Sequence, residues 1–317
     1  MNNHFIKRFA LLTVLTLLTA VLLAACTTES PVPEDDGTTD EGGTSDGELI
    51  IGLSISTLNN PFFVTLKEGA EQAAEELGVR LIVVDAQDDP AKQVADVEDL
   101  VQQQVDAILV NPTDGAAIVT AIETANQASI PVITVDRGAE GGEVLAHVAS
   151  DNVEGGKMAG EFIIELLGGS GKVVELEGIP GTSAARDRGQ GFNEAVGDAE
   201  GIEIVASQPA DFDRSKGLTV MENILQSHAE IDAVFAHNDE MALGALQAIE
   251  AAGRDIIVVG FDATDDAVQA VQEGRLAATV AQQPSLIGQL AVETAVKALN
   301  GESVDEMIPV ELELVTE

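Results

Sequence analysis

The chain has no tryptophan, no tyrosine and one cysteine among its 317 residues. A lone cysteine excludes an intramolecular disulfide, and the missing Trp and Tyr exclude intrinsic fluorescence as a probe of ligand binding. Cationic residues are scarce: Lys and Arg total 15 against 55 Asp and Glu, a formal net charge of -40. A field of that sign repels nucleic acid and anionic lipid, which excludes binding through a phosphate backbone. The acidity reads as solubility in a salty exterior, because no group of carboxylates has the spacing of a calcium loop. The four histidines are scattered and imply no metal site. Neither a Gly-x-Ser-x-Gly elbow nor a reactive cysteine is present. The stretch GGSGK at 168–172 lacks the first glycine of a phosphate loop and has Val173 where Ser or Thr is required. It also joins a helical pattern to a strand, the reverse of the required order. No cofactor is therefore expected.

What is present begins at the N-terminus. Lys7 and Arg8 precede an apolar run from Phe9 to Ala25, which ends at Cys26. That run is shorter than the roughly 20 residues of a spanning helix, and its charged head and small-residue end read as a secretion signal. LLAACTT resembles a bacterial lipoprotein signal, in which the cysteine becomes the lipidated first residue of the mature chain. An uncleaved anchor is the alternative, and both place the following domain outside the cytoplasm. Residues 27–47 hold one aliphatic side chain, Val32, and seven acids, too little apolar surface to order them. They read as a flexible tether with a reach on the order of 25 Å.

Residues 48–317 alternate between apolar strands and amphipathic helices. ELIIGLSIS, RLIVVDA, VDAILV, IPVITV and VLAHVAS read as strands. Helical patterns run over 62–77, with Leu66, Ala70, Ala73, Ala74 and Leu77 on one face, and near 90–104 and 114–128. After residue 151 the pattern restarts with KVVELEG, IEIVASQ, IDAVFAH, DIIVVGF and LAATVAQ. Near-continuous apolar strands with intervening helices mean parallel sheets covered on both faces. The expected fold class is α/β, with two doubly wound parallel-sheet lobes. No sequence repeat relates them.

Ligands of open parallel sheets bind beyond the carboxyl ends of the strands. The residues found there are Ser56, Asn111, Asp136, Arg137, Asn238, Asp239, Asp262 and Gln282. Any single Asn or Asp after a strand is as readily a helix cap, but the collection as a whole is a polar rim. Asp114 is the better cap in Asn111-Pro112-Thr113-Asp114, which would free Asn111. Phe62 and Phe63 lie side by side after Asn59, Asn60 and Pro61, at a junction between elements where a core pair is unexpected. Adjacent aromatics on such a connection suggest a flat apolar partner.

STLNNPFFVTLKEGA, NPTDGAA, IPVITVDR, SDNVEGGKMAG, GTSAARDRGQGF, SQPADFDR, NDEMALGAL and VVGFDAT together resemble the ribose-binding branch of the periplasmic sugar-binding family. The likeness runs in order from about residue 49 to 314. It implies two α/β lobes joined by a three-strand hinge, the type I periplasmic binding protein fold, which closes on a sugar. The implied lobes are 48–150 plus 283–311 and 151–282 plus 312–317. The implied pocket is Ser56, Asn60, Phe62, Phe63, Asn111, Asp136, Arg137, Arg188, Phe212, Asn238, Asp262 and Gln282. The implied ligand is D-ribose or a close relative such as allose, another pentose or a furanose signal molecule. A monomer delivering to ABC permease subunits, and to a chemoreceptor, is implied by the family alone. Ala263 departs from the pattern, standing where the family has glycine.

The residues support this independently. Phe62, Phe63 and Phe212 offer apolar faces with no polar group of their own to satisfy. Two carboxylates accept from hydroxyls and two guanidinium groups donate in rigid forks. The four charges cancel, which suits a neutral ligand. Arg186 and Arg188, two apart on a helix, do not share a face, so only one can reach a ligand; the resemblance implies that it is Arg188. A glycosidase built on Asp136 and Asp262 is disfavoured, because neighbouring Arg or Asn should hold both ionised. A sugar-sensing repressor would need a helix-turn-helix where the signal and tether stand.

Overall fold

The computed structural model describes residues 48–317, so the signal, Cys26 and the tether lie outside the described residues. Strands β1 (Ile50–Ile55), β2 (Arg80–Asp85), β3 (Ala107–Val110), β4 (Val132–Val135) and β5 (Ala146–Ser150) build a first sheet. Strands β6 (Gly171–Glu177), β7 (Ile202–Pro209), β8 (Ala233–Ala236), β9 (Ile257–Asp262) and β10 (Ala278–Ala281) build a second. Of the last two strands, β11 (Met307–Val310) returns to the first sheet and β12 (Glu313–Val315) to the second. The orders, β11-β5-β4-β3-β1-β2 and β12-β10-β9-β8-β6-β7, are the same topology used twice. Every pairing is parallel except β12 on β10. Residues in β3, β4 and β8 are buried throughout, as their unbroken apolar runs require of strands covered on both faces.

Nine helices of the described residues cover the sheets. They are α1 (Pro61–Leu77), α2 (Pro90–Gln102), α3 (Val119–Gln127), α4 (Asn152–Leu166), α5 (Ser183–Gly197), α6 (Arg214–Ser227), α7 (Asp239–Ala251), α8 (Asp265–Gln272) and α9 (Pro284–Leu299). Asn60, Asp89, Asp151, Thr182, Asp213 and Asn238 each cap a helix by accepting from a first-turn backbone N–H. In the first lobe α1 and α9 share one core with Leu53, Leu66 and Ile287, while α2 and α3 close the other face over Leu100, Ile108 and Ile122. In the second, Met221, Leu246 and Val258 form one core and Phe192, Phe235 and Phe261 the other.

Two local expectations shift. Leu77 is 46% exposed rather than on the buried face, because α1 ends there as Gly78 turns left-handed at φ 66°. The α-helix expected from 114 begins at Val119, since Asp114 caps a preceding turn through the N–H groups of Ala116 and Ala117.

The chain passes between sheets three times: from β5 into α4, from β10 into α9, and from β11 into β12. These are the three crossings of a type I periplasmic-binding-protein fold. Close helix packing then seats the site. A Cβ at Gly156 of α4 would stand 2.0 Å from the carbonyl oxygen of Arg188, so glycine alone lets α5 lie close enough to aim that arginine at the cleft.

Candidate functional site

A small cavity lies between the lobes. The first lobe contributes Asn60, Phe62, Phe63, Asp136 and Arg137; the second contributes Ala184, Arg188, Phe212, Asn238 and Asp262. These residues sit where strands end or helices begin, because that edge of a parallel sheet gathers loops and helix N-termini together. Nine of the twelve residues expected from sequence line the cavity, and Ala184 joins them.

The remaining three stand behind the wall. Asn111 is not free, contrary to expectation. Its Oδ1 accepts from the backbone N–H of Ser56 (3.2 Å), and its Nδ2 donates to the Val135 carbonyl (3.0 Å) and Asp136 Oδ2 (3.2 Å). It thereby staples β1 to β3 at the point where the strand order reverses and steers the Asp136 carboxylate. Gln282 Nε2 donates to Asp262 Oδ1 at 2.9 Å, an equivalent service in the second lobe.

Phe62 and Phe63 occupy the first turn of α1 rather than a connecting loop, because Asn60 and Pro61 start the helix immediately before them. Their rings meet edge to face at 5.2 Å, and both are also part of the first lobe's core. They serve packing and the cavity wall together.

Arg137 bridges the lobes. Its guanidinium carbon lies 5.0 Å from the Phe63 ring centroid and 5.1 Å from that of Phe212, and its Nε is 3.8 Å from Asp136 Oδ2. Arg188 is held on every side: Nε donates to Asn152 Oδ1 (2.7 Å) and Nη1 to the His237 carbonyl (2.6 Å). Its Nη1 is also 3.6 Å from Asp262 Oδ1, and its carbon lies 3.9 Å above the Phe261 ring. Burial lowers both guanidinium pKa values, opposed chiefly by Asp136 at Arg137 and by Asp262 at Arg188. Neither loses its charge in proteins. Burial also pushes the Asp262 carboxyl well up, opposed chiefly by Arg188 and with the Asp239 carboxylate adding to the rise. Arg186, by contrast, is exposed and pairs with Asp187 at 3.1 Å and Glu140 at 3.7 Å.

Asn152 and Phe261 were not legible as site residues. Asn152 follows a capping Asp151 and reads as an ordinary first helical residue, while Phe261 reads as an apolar strand position. Only their approach to Arg188 distinguishes them.

The backbone is strained where the loops meet the cavity. Asp136 (φ 61°), Phe212 (57°), Asp262 (120°) and Ala263 (55°) all have positive φ, which L-residues avoid. Such positions each cost on the order of 1–3 kcal/mol and persist where surroundings over-determine them. Polar atoms there are also left over. Ser56 Oγ, Asp136 Oδ1, Arg137 Nε, Ser150 Oγ and Gln282 Oε1 are buried without a partner among the described residues. Buried groups of this kind cost about 1–3 kcal/mol each, and four of the five belong to residues expected at the site. The lobes meet across the cleft through Gly115 N–H to the Gly181 carbonyl (3.1 Å) and Gly138 N–H to Ser183 Oγ (2.8 Å).

A two-lobed α/β protein with a small polar cavity between its lobes is built to enclose a small solute. The family described as periplasmic binding protein domain matches residues 51–303, and the chain belongs to it. A ribose import binding protein of Bacillus subtilis is 54% identical over 307 residues, covering 96% of this chain and 98% of that protein. A protein of the same description from Haemophilus influenzae is 57% identical over 267 residues, covering 84% and 91%. Among solved structures, an ABC transporter solute-binding protein of Bacillus halodurans with bound myo-inositol superimposes with a TM-score of 0.83 at 39% identity, covering 86% of this chain and 96% of that one.

Proposed function

We propose that this protein captures D-ribose between its lobes and delivers it to the permease of an ABC importer, without chemical turnover. The observation that carries the reading is the pair of unpartnered buried polar atoms, Asp136 Oδ1 and Arg137 Nε, at a cleft flanked by Phe62, Phe63 and Phe212. A ring with apolar C–H faces and a rim of hydroxyls satisfies both halves of that description. The paired charges, Asp136 with Arg137 and Asp262 with Arg188, favour a neutral ligand over an amino acid, a phosphate or a carboxylate. The two ribose import relatives supply the particular sugar.

The twelve residues divide by role: the nine lining ones contact sugar, while Asn111, Ser56 and Gln282 set the geometry of the carboxylates. The lobes are 48–150 plus 283–311 and 151–282 plus 312–317, moving about the three crossings as the sugar is enclosed. Residues 1–26 are a signal ending at lipidated Cys26, and 27–47 tether a monomeric receptor outside the cell membrane, within reach of permease and chemoreceptor.

Calorimetry with ribose, 2-deoxyribose and arabinose tests the reading. Sites that hydrogen-bond a hydroxyl can reject the analogue lacking it by about 10⁴-fold or more. Deoxyribose should bind at least about a hundredfold more weakly than ribose, and arabinose should also be rejected. Comparable affinities for all three would replace the ribose reading with a broad sugar scavenger.

A further inference from the structure

Asp239 does not line the cavity, yet it is fully buried one residue beyond Asn238. Its Oδ1 accepts from Thr279 Oγ1 at 2.7 Å. Its Oδ2 accepts from the Thr264 backbone N–H at 2.7 Å and from Thr264 Oγ1 at 3.1 Å. Thr279 Oγ1 in turn accepts from the Ala263 N–H at 3.1 Å, so the N–H groups of both residues after Asp262 end on this one carboxylate, directly or through Thr279. Thr264 precedes α8 as its N-cap yet makes no side-chain cap bond, because its hydroxyl is turned to Asp239. The fit is tight: a Cβ at Gly260 would stand 2.3 Å from Asp239 Oδ1.

The segment so fastened is the strained one. Asp262 at φ 120° and Ala263 at φ 55° adopt conformations that L-residues avoid. Nothing in the local sequence favours them, since neither position is glycine. A carboxylate with three donors is the one hub in reach that can hold both following N–H groups inside the core. We infer that Asp239 is a positioning residue for ligand binding, acting with Thr264 and Thr279 to hold the Asp262 turn in the geometry that presents its carboxylate to the sugar. The inference rests on reading the central cavity as the sugar site. Burial pushes the Asp239 carboxyl up to about 7 against the lowering effect of Thr279 and Thr264.

The test is a double-mutant cycle in ribose affinity at pH 8, read by calorimetry on the parent, Asp239→Asn, Asp262→Asn and the double variant. In Asp239→Asn an amide N–H₂ must face donors, so the turn is released. The expected loss is at least about tenfold in the parent background and less than about threefold once Asp262 is already Asn, because coupled sites are non-additive. Rescue sharpens it: Thr279→Val should lose affinity, and Thr279→Ser, which restores the hydroxyl, should regain most of it. If Asp239→Asn does not give folded protein, Thr279→Val carries the same cycle. An equal loss in both backgrounds, or no loss, overturns the inference. Failure of the parent itself to bind ribose would instead overturn the functional reading on which the inference rests.

Discussion

In the first lobe a neutral amide fastens the switch-point loop; in the second a buried carboxylate fastens the pocket loop. Gln93 is fully buried, accepts from Thr113 N–H (2.7 Å) and Oγ1 (2.9 Å), and donates to the Asn111 carbonyl (2.8 Å). Asp239 holds the loop after β9 with acceptors only. The crevice staples differ likewise: Asn111 ties the end of β3 to Ser56, whereas the His237 ring accepts from Gly178 N–H at 3.2 Å and meets buried Glu175 at 3.0 Å. One topology used twice therefore carries two electrostatic designs. The first lobe spends few buried charges away from the cavity; the second stacks Glu175, Asp239 and Asp262 behind or within it. The comparison teaches that strand order fixes where pocket loops fall, while the chemistry that holds them is chosen position by position.

The largest expected effect lies in the first lobe's only cavity carboxylate. Asp136→Ala removes the partner of Arg137 and two acceptor oxygens while leaving Arg137 buried between Phe63 and Phe212. Stripping one member of a buried charged pair costs roughly 2–5 kcal/mol, or about thirty- to several-thousand-fold in affinity. Calorimetric binding of ribose within threefold of the parent would show that the first lobe does not contribute its charge as described.

The contrast between amide and carboxylate should appear next in the pH dependence of stability. Asp239 is raised from 3.8 to about 7 in the folded protein, so the folded state binds more protons than the unfolded chain between those values. Stability from this group is therefore full below the unfolded value and is lost as pH rises through about 7. Denaturant unfolding of the ligand-free protein at pH 5 and pH 7 should show a fall, shared with Asp262, whose carboxyl is raised for the same reason of burial. Asp239→Asn should flatten that fall by on the order of 2 kcal/mol. A Gln93→Glu variant would put a carboxyl behind the loop after β3 in the first lobe and should steepen it. An unchanged slope in Asp239→Asn would dissolve the distinction between the lobes.

The smallest effect concerns the turn itself. Ala263 at φ 55° carries a left-handed penalty that glycine avoids, about 1 kcal/mol. Ala263→Gly should raise stability by at most that amount, since glycine also gains freedom in the unfolded chain. Thermal unfolding checks it, and a loss of stability would mean that the Ala263 methyl packs more favourably than its backbone angle suggests.

Much of this architecture is legible in the sequence. Unbroken apolar runs such as VDAILV and IPVITV, with capping residues before each helix, specify covered parallel strands, and polar residues after strand ends specify the rim. The two-residue spacing of Arg186 and Arg188 separates their faces, and the resemblance supplies which of them turns to the cleft. The helical pattern over 62–77 already contains Phe62 and Phe63; what it does not disclose is that both rings also belong to the first lobe's core. Asn111 was misjudged. Removing its capping duty left it no less engaged, since its partners come from β1 and β4, which are remote in sequence.

By itself the sequence determined the alternating pattern, the covered sheets, the polar edge and the residue types that face the cleft, all of which follow from periodicity and from what each side chain can donate or accept. Tertiary structure decided which of those groups remain available. Arg188 meets Asn152, Asp239 meets Thr279, and Gln282 meets Asp262 only because strand register brings together residues 36, 40 and 20 apart. Hydrogen bonds depend on distances of a few tenths of an ångström, and no local pattern encodes that across so many intervening residues.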